Sequence, residues 1–476
     1  MWWIILAIVI ILIAVVVIRA LLFTPYKTIE ADNSTVEFDG DLAVNALREI
    51  IKCKTVSYRN SELEDAAEFE KLVSRLPVLY PNVFKCCEYK QLPDRALLIR
   101  WKGKKHDTAT CLMSHYDVVP VNEEMWEKSA FEGVLEDGII WGRGALDTKS
   151  TLNGALSAAD HLIGQGFVPQ NDIYFAFSGN EEINGRGAVN IVDYFEENNI
   201  KLSFVLDEGG AVVQNVFPGV KQPCGLIGIA EKGMMDVEYK VKSNGGHASA
   251  PKPRTPIDIL AHACCNMVHY PFKAHLTRPV AEMFDTLGRH SNFLYRMIFA
   301  NLWLFSPVLD SICKKSGGDL NAMMRTTVAF TQMNGSNASN VIPPEATLVS
   351  NIRLNPYDTT DTALQYIKST VNDKDVEVTM LHGINPSRIS KTDCPEWDKV
   401  ATAVASTWKG CIVSPYLMVQ CSDSRHYGRI SDKVYRFSAM DLTSEERATI
   451  HGNNERVRVE TVLRTVEFYI RLMREC

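Results

Sequence analysis

Seven acidic and imidazole side chains stand at the ends of apolar runs or in glycine-rich turns, where core packing does not explain them. They are His115, Asp117, Asp147, Glu181, Glu182, Asp207 and His451. A metal pair that hydrolyses its substrate needs a bridging carboxylate, further ligands for each ion and one free carboxylate that moves a proton. The set therefore predicts a hydrolytic centre built on two metal ions.

The first pair of these residues follows the apolar run 108–114. Asp117 comes two residues after His115, so both side chains lie on the same side of an extended chain. A metal-binding imidazole is commonly held by a carboxylate of its own. We therefore predict that His115 is a ligand and that Asp117 orients it.

The central acids follow in two turns. Glycines 142 and 144 precede Asp147 and allow the backbone to approach a crowded ionic centre. Asp147 is therefore the predicted bridge between the two ions. The alternative is that Asp147 caps the helix that begins at Thr148. Glu181 and Glu182 are adjacent and their side chains diverge. We assign Glu182 as a ligand and Glu181 as the general acid/base, with a solvated acidic turn as the alternative.

Two further ligands are predicted from later segments. Asp207 follows the apolar run 204–206, and a carboxylate at the exit of a buried strand needs a cation or amide hydrogens. His451 precedes the terminal helix and can return to the same rim, although a lone histidine there is often a plain surface residue. Oxygen and imidazole donors without thiolate favour two Zn²⁺ ions, with Co²⁺ or Mn²⁺ as alternatives.

The elements that must position these residues alternate between helix and strand. Helices are expected at 148–164 and 187–197, and buried strands at 108–113, 172–177 and 202–206. In open α/β sheets the ligand site lies beyond the carboxyl ends of the strands, so the acids converge at one rim. The predicted fold class is α/β, with a doubly wound catalytic domain and a mainly parallel sheet.

From about residue 231 the pattern becomes the alternation of half-exposed antiparallel strands, at 235–242 and 346–354. This predicts a smaller α+β lid domain that interrupts the catalytic domain. The predicted layout is a membrane anchor or signal at 1–26, a linker at 27–41, the catalytic domain at 42–230 and 383–476, and the lid at 231–382 with an apolar insertion at about 270–324.

Composition excludes one class of partner. The 476 residues carry 50 Lys and Arg against 57 Asp and Glu, a net charge of −7. Because phosphate binding needs a clustered cationic face and the chain has no long basic run, nucleic acid is not an expected partner. The twelve cysteines show no CxxC spacing and leave the redox compartment open.

The N-terminus is uninterrupted apolar sequence from residue 2 to 18, enough to span a bilayer. We find no small-residue cleavage site after it, so a single-pass anchor is expected, with a cleaved signal and secretion as the alternative. Arg19 and Lys27 favour a cytosolic active domain, whereas sequons at Asn33, Asn334 and Asn337 favour the opposite side. We expect the active domain in the secretory lumen, the vacuole or lysosome, or outside the cell.

Six motifs resemble those of the dinuclear zinc family of aminoacylases and carboxypeptidases. They are Ser114-His-Tyr-Asp-Val-Val119, Ile140-Trp-Gly-Arg-Gly-Ala-Leu-Asp147, Asn180-Glu-Glu182, Leu206-Asp-Glu-Gly-Gly210, Gly245-Gly-His-Ala-Ser249 and His451-Gly-Asn-Asn-Glu455. The resemblance covers about residues 40–476. Further stretches are most similar to the group of N-fatty-acyl-amino-acid synthases/hydrolases and carboxypeptidase S: Trp126 with Phe131-Glu-Gly133, Asn340-Val-Ile-Pro-Pro344 and Asp423-Ser-Arg-His426.

The resemblance implies that Asp147 joins two zinc sites, one with His115 and Asp207 and the other with Glu182 and His451. It also implies roles in the lid. His247 and Asn340 would polarise the scissile carbonyl, and Arg353 would bind the free carboxylate of the substrate, although an ordinary exposed arginine on a strand is the alternative.

Two departures from the family pattern stand near the site. Thr148 replaces a second acid that family members often carry, and Val419-Gln-Cys-Ser422 replaces a glycine-rich approach. The second departure leaves the roles of Ser424 and Arg425 open. Neither departure affects a predicted ligand, so an active enzyme is expected.

The expected substrate is a small molecule with a carboxylate next to the scissile nitrogen. The apolar insertion at 270–324 could line a channel for a fatty acyl chain; ordinary lid packing or a dimer edge are the alternatives. The prediction is a dinuclear zinc amidohydrolase that cleaves, and can form, the amide bond of N-fatty-acyl amino acids. The alternatives are release of C-terminal amino acids from short peptides and an inactive membrane-anchored binding protein.

Overall fold

The structure is a computed structural model that describes residues 1–26 and 29–476. Part of the predicted linker, including Lys27, lies outside the described residues. The helices within the described residues are α1 Trp2–Leu22, α2 Gly40–Ile51, α3 Ala66–Leu79, α4 Pro81–Cys86, α5 Lys149–Gly164, α6 Gly187–Glu197, α7 Pro256–His269, α8 Arg278–His290, α9 Phe293–Phe299, α10 Leu302–Ser316, α11 Gly318–Met324, α12 Thr360–Val371, α13 Pro395–Thr407, α14 Ser444–Thr449 and α15 Val459–Arg474.

The strands are β1 Glu88–Leu92, β2 Ala96–Trp101, β3 Lys105–His115, β4 Val134–Glu136, β5 Ile139–Trp141, β6 Asn171–Ser178, β7 Leu202–Val213, β8 Cys224–Glu231, β9 Gly233–Lys242, β10 Gly246–His247, β11 Thr327–Asn334, β12 Val341–Ile342, β13 Glu345–Leu354, β14 Glu377–Ile384, β15 Ile412–Met418, β16 Val434–Leu442 and β17 Arg456–Arg458.

An eight-stranded sheet forms the larger domain, in the order β1-β2-β6-β3-β7-β16-β8-β15. Its centre is parallel, since β3 pairs in parallel with β6 and β7, and β7 pairs in parallel with β16. β3 and β6 are buried along most of their length, as expected for strands covered on both faces. One face carries a core with α5 and α15, and the other a core with α6. The predicted α/β fold is confirmed.

The smaller domain is built on an antiparallel sheet in the order β11-β13-β9-β14. β9 and β13 alternate between buried and partly exposed positions along their length, and the buried side packs against α7 and α12. This is the α+β texture expected of the lid. The predicted limits of the lid at residues 231 and 382 stay a prediction.

Most of the apolar insertion packs away from the lid sheet, although Phe272 at its start belongs to the lid core. Helix α8 lies along β15, the edge strand of the large sheet, and the insertion shares an apolar core with β8, β15 and the loop after β7. Phe217 of that loop contacts the rings of Phe284 and Phe299, at centroid distances of 5.6 and 4.7 Å. The insertion therefore extends the wall of the catalytic domain.

Candidate metal centre

Two histidines face one carboxylate from opposite sides. Asp147 Oδ1 lies 2.9 Å from His115 Nε2, and Asp147 Oδ2 lies 3.0 Å from His451 Nε2. His451 Nε2 is also 3.1 Å from Glu182 Oε2, and His115 Nε2 is 3.4 Å from Glu208 Oε1. A carboxylate with one oxygen toward each imidazole has the arrangement required of a ligand that bridges two ions.

These side chains come from separate segments that meet at one rim. His115 ends β3, Glu182 follows β6, and Glu208 lies on β7. Asp147 precedes α5, and His451 follows α14. The parallel order of β6, β3 and β7 brings their carboxyl ends side by side, which is why residues distant in sequence meet here.

The electrostatics of the cluster fit divalent cations. Burial raises the pKa of Glu208 to about 8 and raises the pKa of Glu182 above its usual range. The hydrogen bonds that the His451 ring donates to the Asp147 and Glu182 carboxylates raise the pKa of His451 to about 10. Among the described residues, the buried Glu182 Oε1 has no hydrogen-bond partner. Carboxylates held this close repel one another when ionised, so a pair of metal ions would supply the missing positive charge.

Asp117 orients both sides of the cluster. Its backbone carbonyl accepts from His115 Nδ1 at 3.0 Å, and its Oδ2 accepts from the Ser57 hydroxyl at 2.7 Å. The two carboxylate oxygens also accept the backbone N–H groups of Glu181 and Glu182, each at 3.1 Å. Asp117 therefore fixes one imidazole and the whole Glu181–Glu182 turn.

Glu181 lies within this cluster, but its possible metal-binding neighbours differ from those of Glu182. One of its carboxylate oxygens lies within 4.8 Å of donor atoms of His115 and Glu208. Burial raises the pKa of Glu181 well above its usual range, so its carboxylate has a strong tendency to take up a proton. The assigned role of general acid/base remains a prediction that this environment suits.

Among the described residues, the groups of side chains close enough to share an ion include Glu208 but not Asp207, which was the predicted ligand. Its carboxylate is buried and accepts from the backbone N–H of Ser424 at 3.0 Å. Successive side chains of a strand point to opposite faces, so on β7 it is Glu208 that faces His115. The sequence places two acids side by side in this motif and does not show which face of β7 meets the site.

Glu455, which is not among the predicted site residues, holds the turn that carries Asp147. Its Oε1 accepts the backbone N–H groups of Leu146 and Asp147 at 2.7 and 3.1 Å. Its Oε2 accepts Arg143 Nη1 at 2.6 Å and the Gly144 N–H at 3.1 Å. This fully buried carboxylate thereby shapes the turn that presents Asp147. Its position in the motif after His451 was the available signal.

The predicted lid residues His247 and Asn340 lie side by side, away from the cluster. His247 pairs with Val341 between β10 and β12, and the Ala248 N–H donates to the Asn340 carbonyl at 2.9 Å. Both residues are exposed, and neither lines the cavity beside the cluster.

Arg353 is the lid residue that reaches the wall of that cavity. It lies on the less buried face of β13, and its Nη1 is 3.5 Å from Cys421 Sγ. Cys421 lines the cavity into which the metal cluster opens. The guanidinium thus lies beside a residue of the cavity wall, and its role in binding a substrate carboxylate stays a prediction.

The cavity beside the cluster has a volume of about 670 Å³. Glu181, Glu182 and Glu208 stand at its polar end. The rest of the wall is largely apolar and comes from β7, β8, β15, β16 and the insertion, including Phe217, Leu226, Met283, Leu287, Leu320 and Met323. A substrate with its reacting group at the cluster would therefore extend its remaining part into an apolar chamber.

Comparison with known proteins places this site in a family. The family profile of peptidase family M20/M25/M40 matches residues 111–475, more than half of the chain. The chain belongs to peptidase family M20/M25/M40. The residues matched include all five side chains that face one another in the cluster, and as an M20 protein the chain is a hydrolase of amide or peptide bonds.

Two similar proteins illustrate the relationship. The chain is 33% identical over 451 residues to probable carboxypeptidase S-like 2 of Dictyostelium discoideum, covering 93% of this chain and 86% of the relative. It is 36% identical over 441 residues to the N-fatty-acyl-amino acid synthase/hydrolase PM20D1 of Xenopus tropicalis, covering 90% of this chain and 85% of the relative.

Solved structures show the same M20 fold at low sequence identity. The M20 family metallo-carboxypeptidase Sso-CP2 from Sulfolobus solfataricus has a TM-score of 0.67 at 18% identity, covering 91% of this chain and 98% of that chain. The YXEP protein of Bacillus subtilis, described as a dinuclear metal binding peptidase, has a TM-score of 0.56 at 11% identity, covering 91% and 97%.

Proposed function

We propose that this M20 protein is a dinuclear zinc amidohydrolase that acts on N-fatty-acyl amino acids. The observation that carries the proposal is the continuous cavity from the acidic cluster to an apolar chamber walled by the insertion. Similarity to an N-fatty-acyl-amino acid synthase/hydrolase supports it. Hydrolysis and synthesis share one transition state, so concentrations of amide, fatty acid and amino acid set the direction.

Five side chains would hold the two ions: His115, Asp147, Glu182, Glu208 and His451. In this proposal Asp147 would be the ligand shared by both ions, and Glu208 would take the place predicted for Asp207. The donors are oxygen and imidazole nitrogen without thiolate, a set that suits zinc. Ions bound there would polarise the scissile carbonyl and make water a stronger nucleophile near neutral pH.

The proton steps belong to Glu181. Its carboxylate takes a proton from the attacking water and returns that proton to the leaving amide nitrogen. Asp117 holds the Glu181 backbone in place, so the carboxylate needs little reorganisation. Arg353 binds the substrate's free carboxylate by paired hydrogen bonds, which sets the amide at the cluster.

His247 and Asn340 keep their proposed role of polarising the scissile carbonyl. Since they lie together on the exposed β10–β12 pair, they must approach the cluster for this role. Closure of the lid, or the lid of a second copy in a homodimer, would bring them there. A solution measurement of oligomeric state, combined with His247→Ala in mixed dimers, distinguishes the two routes.

The proposal predicts that kcat/KM rises with acyl length. Each methylene buried in the chamber contributes up to about 0.8 kcal/mol, so N-oleoyl-phenylalanine should exceed N-acetyl-phenylalanine by orders of magnitude. Leu287→Trp should fill the chamber, lower N-oleoyl turnover at least about tenfold and spare the acetyl substrate. Leu381→Trp is the matched control, because Leu381 is 56% exposed on the lid strand β14. Activity independent of acyl length would contradict the fatty-acyl assignment.

A second candidate is release of C-terminal amino acids from short peptides, which the similarity to a carboxypeptidase S-like protein favours. Its substrates also carry a free carboxylate for Arg353. A Gly-Leu dipeptide hydrolysed faster than N-oleoyl-phenylalanine by the full chain with zinc would support this candidate. The intact cluster argues against an inactive binding protein, since its ligands converge as a working site requires.

We also propose that α1 is a single-pass membrane anchor and that the active domain lies in the secretory lumen, a vacuole or lysosome, or outside the cell. α1 has a mean hydropathy of 3.4 over its most apolar 18 residues, and most of it is exposed. The sequon residues Asn33, Asn334 and Asn337 are exposed, as glycosylation requires. Removal of N-glycans from the cellular protein, read as a shift in gel mobility, tests this orientation; secretion of the protein would show that α1 is cleaved.

A further inference from the structure

Helices α9 and α10 carry large apolar side chains on an exposed surface. We call the set Leu294, Trp303, Val308 and Ile312 the insertion surface; their exposed fractions are 63, 57, 56 and 56%. Exposed apolar side chains grouped on neighbouring helices usually mark a binding surface. The question is what covers them.

The last turns of α1 are fixed to the start of this surface. Asn301 Nδ2 donates to the Val16 carbonyl at 3.1 Å, and the Arg19 guanidinium donates twice to the Ala300 carbonyl, at 3.1 and 2.9 Å. Asn301 is fully buried in this contact. The junction of α9 and α10 and the end of α1 therefore form one joined structure.

The length of α1 sets the depth of that junction. At 1.5 Å per residue its 21 residues measure about 30 Å, roughly the thickness of the hydrocarbon core. A span of about 20 residues therefore reaches the turns that contact α9 and α10. When α1 crosses a bilayer, the insertion surface must consequently lie at the membrane boundary.

The composition of α10 suits that boundary. Of its fifteen described residues, Cys313 alone is buried, although most of the first half of the helix is apolar. Lys314 and Lys315 follow at its end and are exposed. Large exposed apolar side chains followed by terminal lysines suit the interface between headgroups and acyl chains.

Helix α8 separates this boundary from the catalytic cavity by a single layer. Met283 and Leu287 line the cavity. On its other side, Gly288 allows close approach of Phe23, because an added Cβ would lie 3.2 Å from the Phe23 ring. Arg289 lies over the same ring, 4.3 Å from its centroid. The apolar end of the cavity thus faces the membrane side of the protein.

We propose that the insertion surface lies on a lipid bilayer and that long-chain substrates enter the apolar chamber from that bilayer. The lipid contact rests on the joint between α1 and the α9–α10 junction and on the proposed role of α1 as a membrane anchor. The entry of substrate rests in addition on the proposed function. Uptake from the membrane would spare a fatty acyl chain the cost of crossing water, about 0.8 kcal/mol per methylene.

The contact is tested with the full chain in phosphatidylcholine vesicles that contain brominated lipid, which quenches nearby tryptophans. Trp2 and Trp3 are quenched by any insertion of α1, so the Trp303 signal is taken as the difference between the wild-type chain and Trp303→Phe. The expected result is that this difference signal is strongly quenched. A Trp303 signal that brominated lipid does not quench would overturn the lipid contact. This result would also be seen if a second copy of the chain covered Trp303.

Substrate entry is tested with the double variant Val308→Glu and Ile312→Glu. It should turn over bilayer-borne N-oleoyl-phenylalanine about tenfold more slowly and leave soluble N-acetyl-phenylalanine unchanged, since charge at the membrane face disfavours seating. Val78→Glu is the matched control, because Val78 is an exposed valine on α3, outside the insertion. Equal effects on both substrates, or none, would refute entry from the bilayer. If the wild-type chain hydrolyses neither substrate, the proposed function fails while Trp303 quenching still decides the contact.

Discussion

Glu208 and Asp207 are neighbours in sequence with opposite surroundings. Glu208 faces His115, whereas Asp207 binds the Ser424 backbone. We expect Glu208→Ala to lose about one of two zinc ions per chain and to lose turnover. Asp207→Ala should retain both ions but lower the free energy of unfolding by about 1–3 kcal/mol, because a buried N–H loses its acceptor. Metal analysis and denaturant unfolding of both variants check this; the reverse pattern would restore Asp207 as the ligand.

The Glu455 carboxylate touches no proposed ligand atom yet fixes the turn that carries Asp147. Both carboxylate oxygens of Glu455 accept hydrogen bonds. In Glu455→Gln an amide NH₂ group would replace one of these oxygens and would face N–H donors that it cannot accept. We expect zinc affinity to fall about 10–100-fold, the usual cost of losing a group that orients a ligand. Zinc titration measures it. Glu127→Gln is the control, because Glu127 is an exposed acid that bonds Asn454 nearby; equal affinities in all three proteins would exclude a positioning role for Glu455.

At the level of elements, the segment Asp423–Arg429 packs behind β7 and contains a histidine that is kept neutral. Burial, with the nearby Arg425 and Arg429 guanidinium groups, lowers the pKa of His426 to about 4. The unfolded chain has the ordinary value of about 6.5, so it binds the proton more readily than the folded protein as pH falls.

This difference predicts acid sensitivity within a defined window. The stability due to neutral His426 is fully present above about pH 6.5 and is lost as pH falls toward 4, by up to about 3 kcal/mol. His426→Gln should remove this part of the pH dependence. Urea unfolding at pH 7 and pH 4.5, with chelator present so that metal release does not contribute, compares the two proteins. An unchanged pH dependence in the variant would show that His426 is not responsible.

The sequence predicted the positions of helices and strands better than it predicted which of their side chains face the site. Helix 187–197 and the strands that end at His115 and Ser178 appear where the apolar periodicity placed them. β7 instead continues to Val213, beyond the predicted end at residue 206, because it pairs with β16 through irregular register. Periodicity reports burial along one element. Which of two adjacent acids meets the site depends on the neighbouring strands, so the sequence alone does not distinguish Asp207 from Glu208.

At the level of the whole molecule, the insertion connects three parts that the sequence presented separately. Residues 270–324 were expected to belong to the lid, but their helices extend the catalytic wall beside β15 and receive the end of α1. The motifs indicated candidate site residues because the chemistry of a metal centre demands few residue types. The packing of the insertion depends on long-range shape complementarity, which no local pattern reports.

The central claim is a two-metal hydrolytic centre in which Glu181 moves the proton. The most direct test is Glu181→Gln in the full chain, with zinc content and turnover of N-oleoyl-phenylalanine measured on the same sample. We predict about two zinc ions per chain, as in the wild-type protein, and a fall in kcat of about 10²–10⁴-fold, the range for loss of a general acid/base. Turnover near the wild-type rate with both ions bound would contradict the claim.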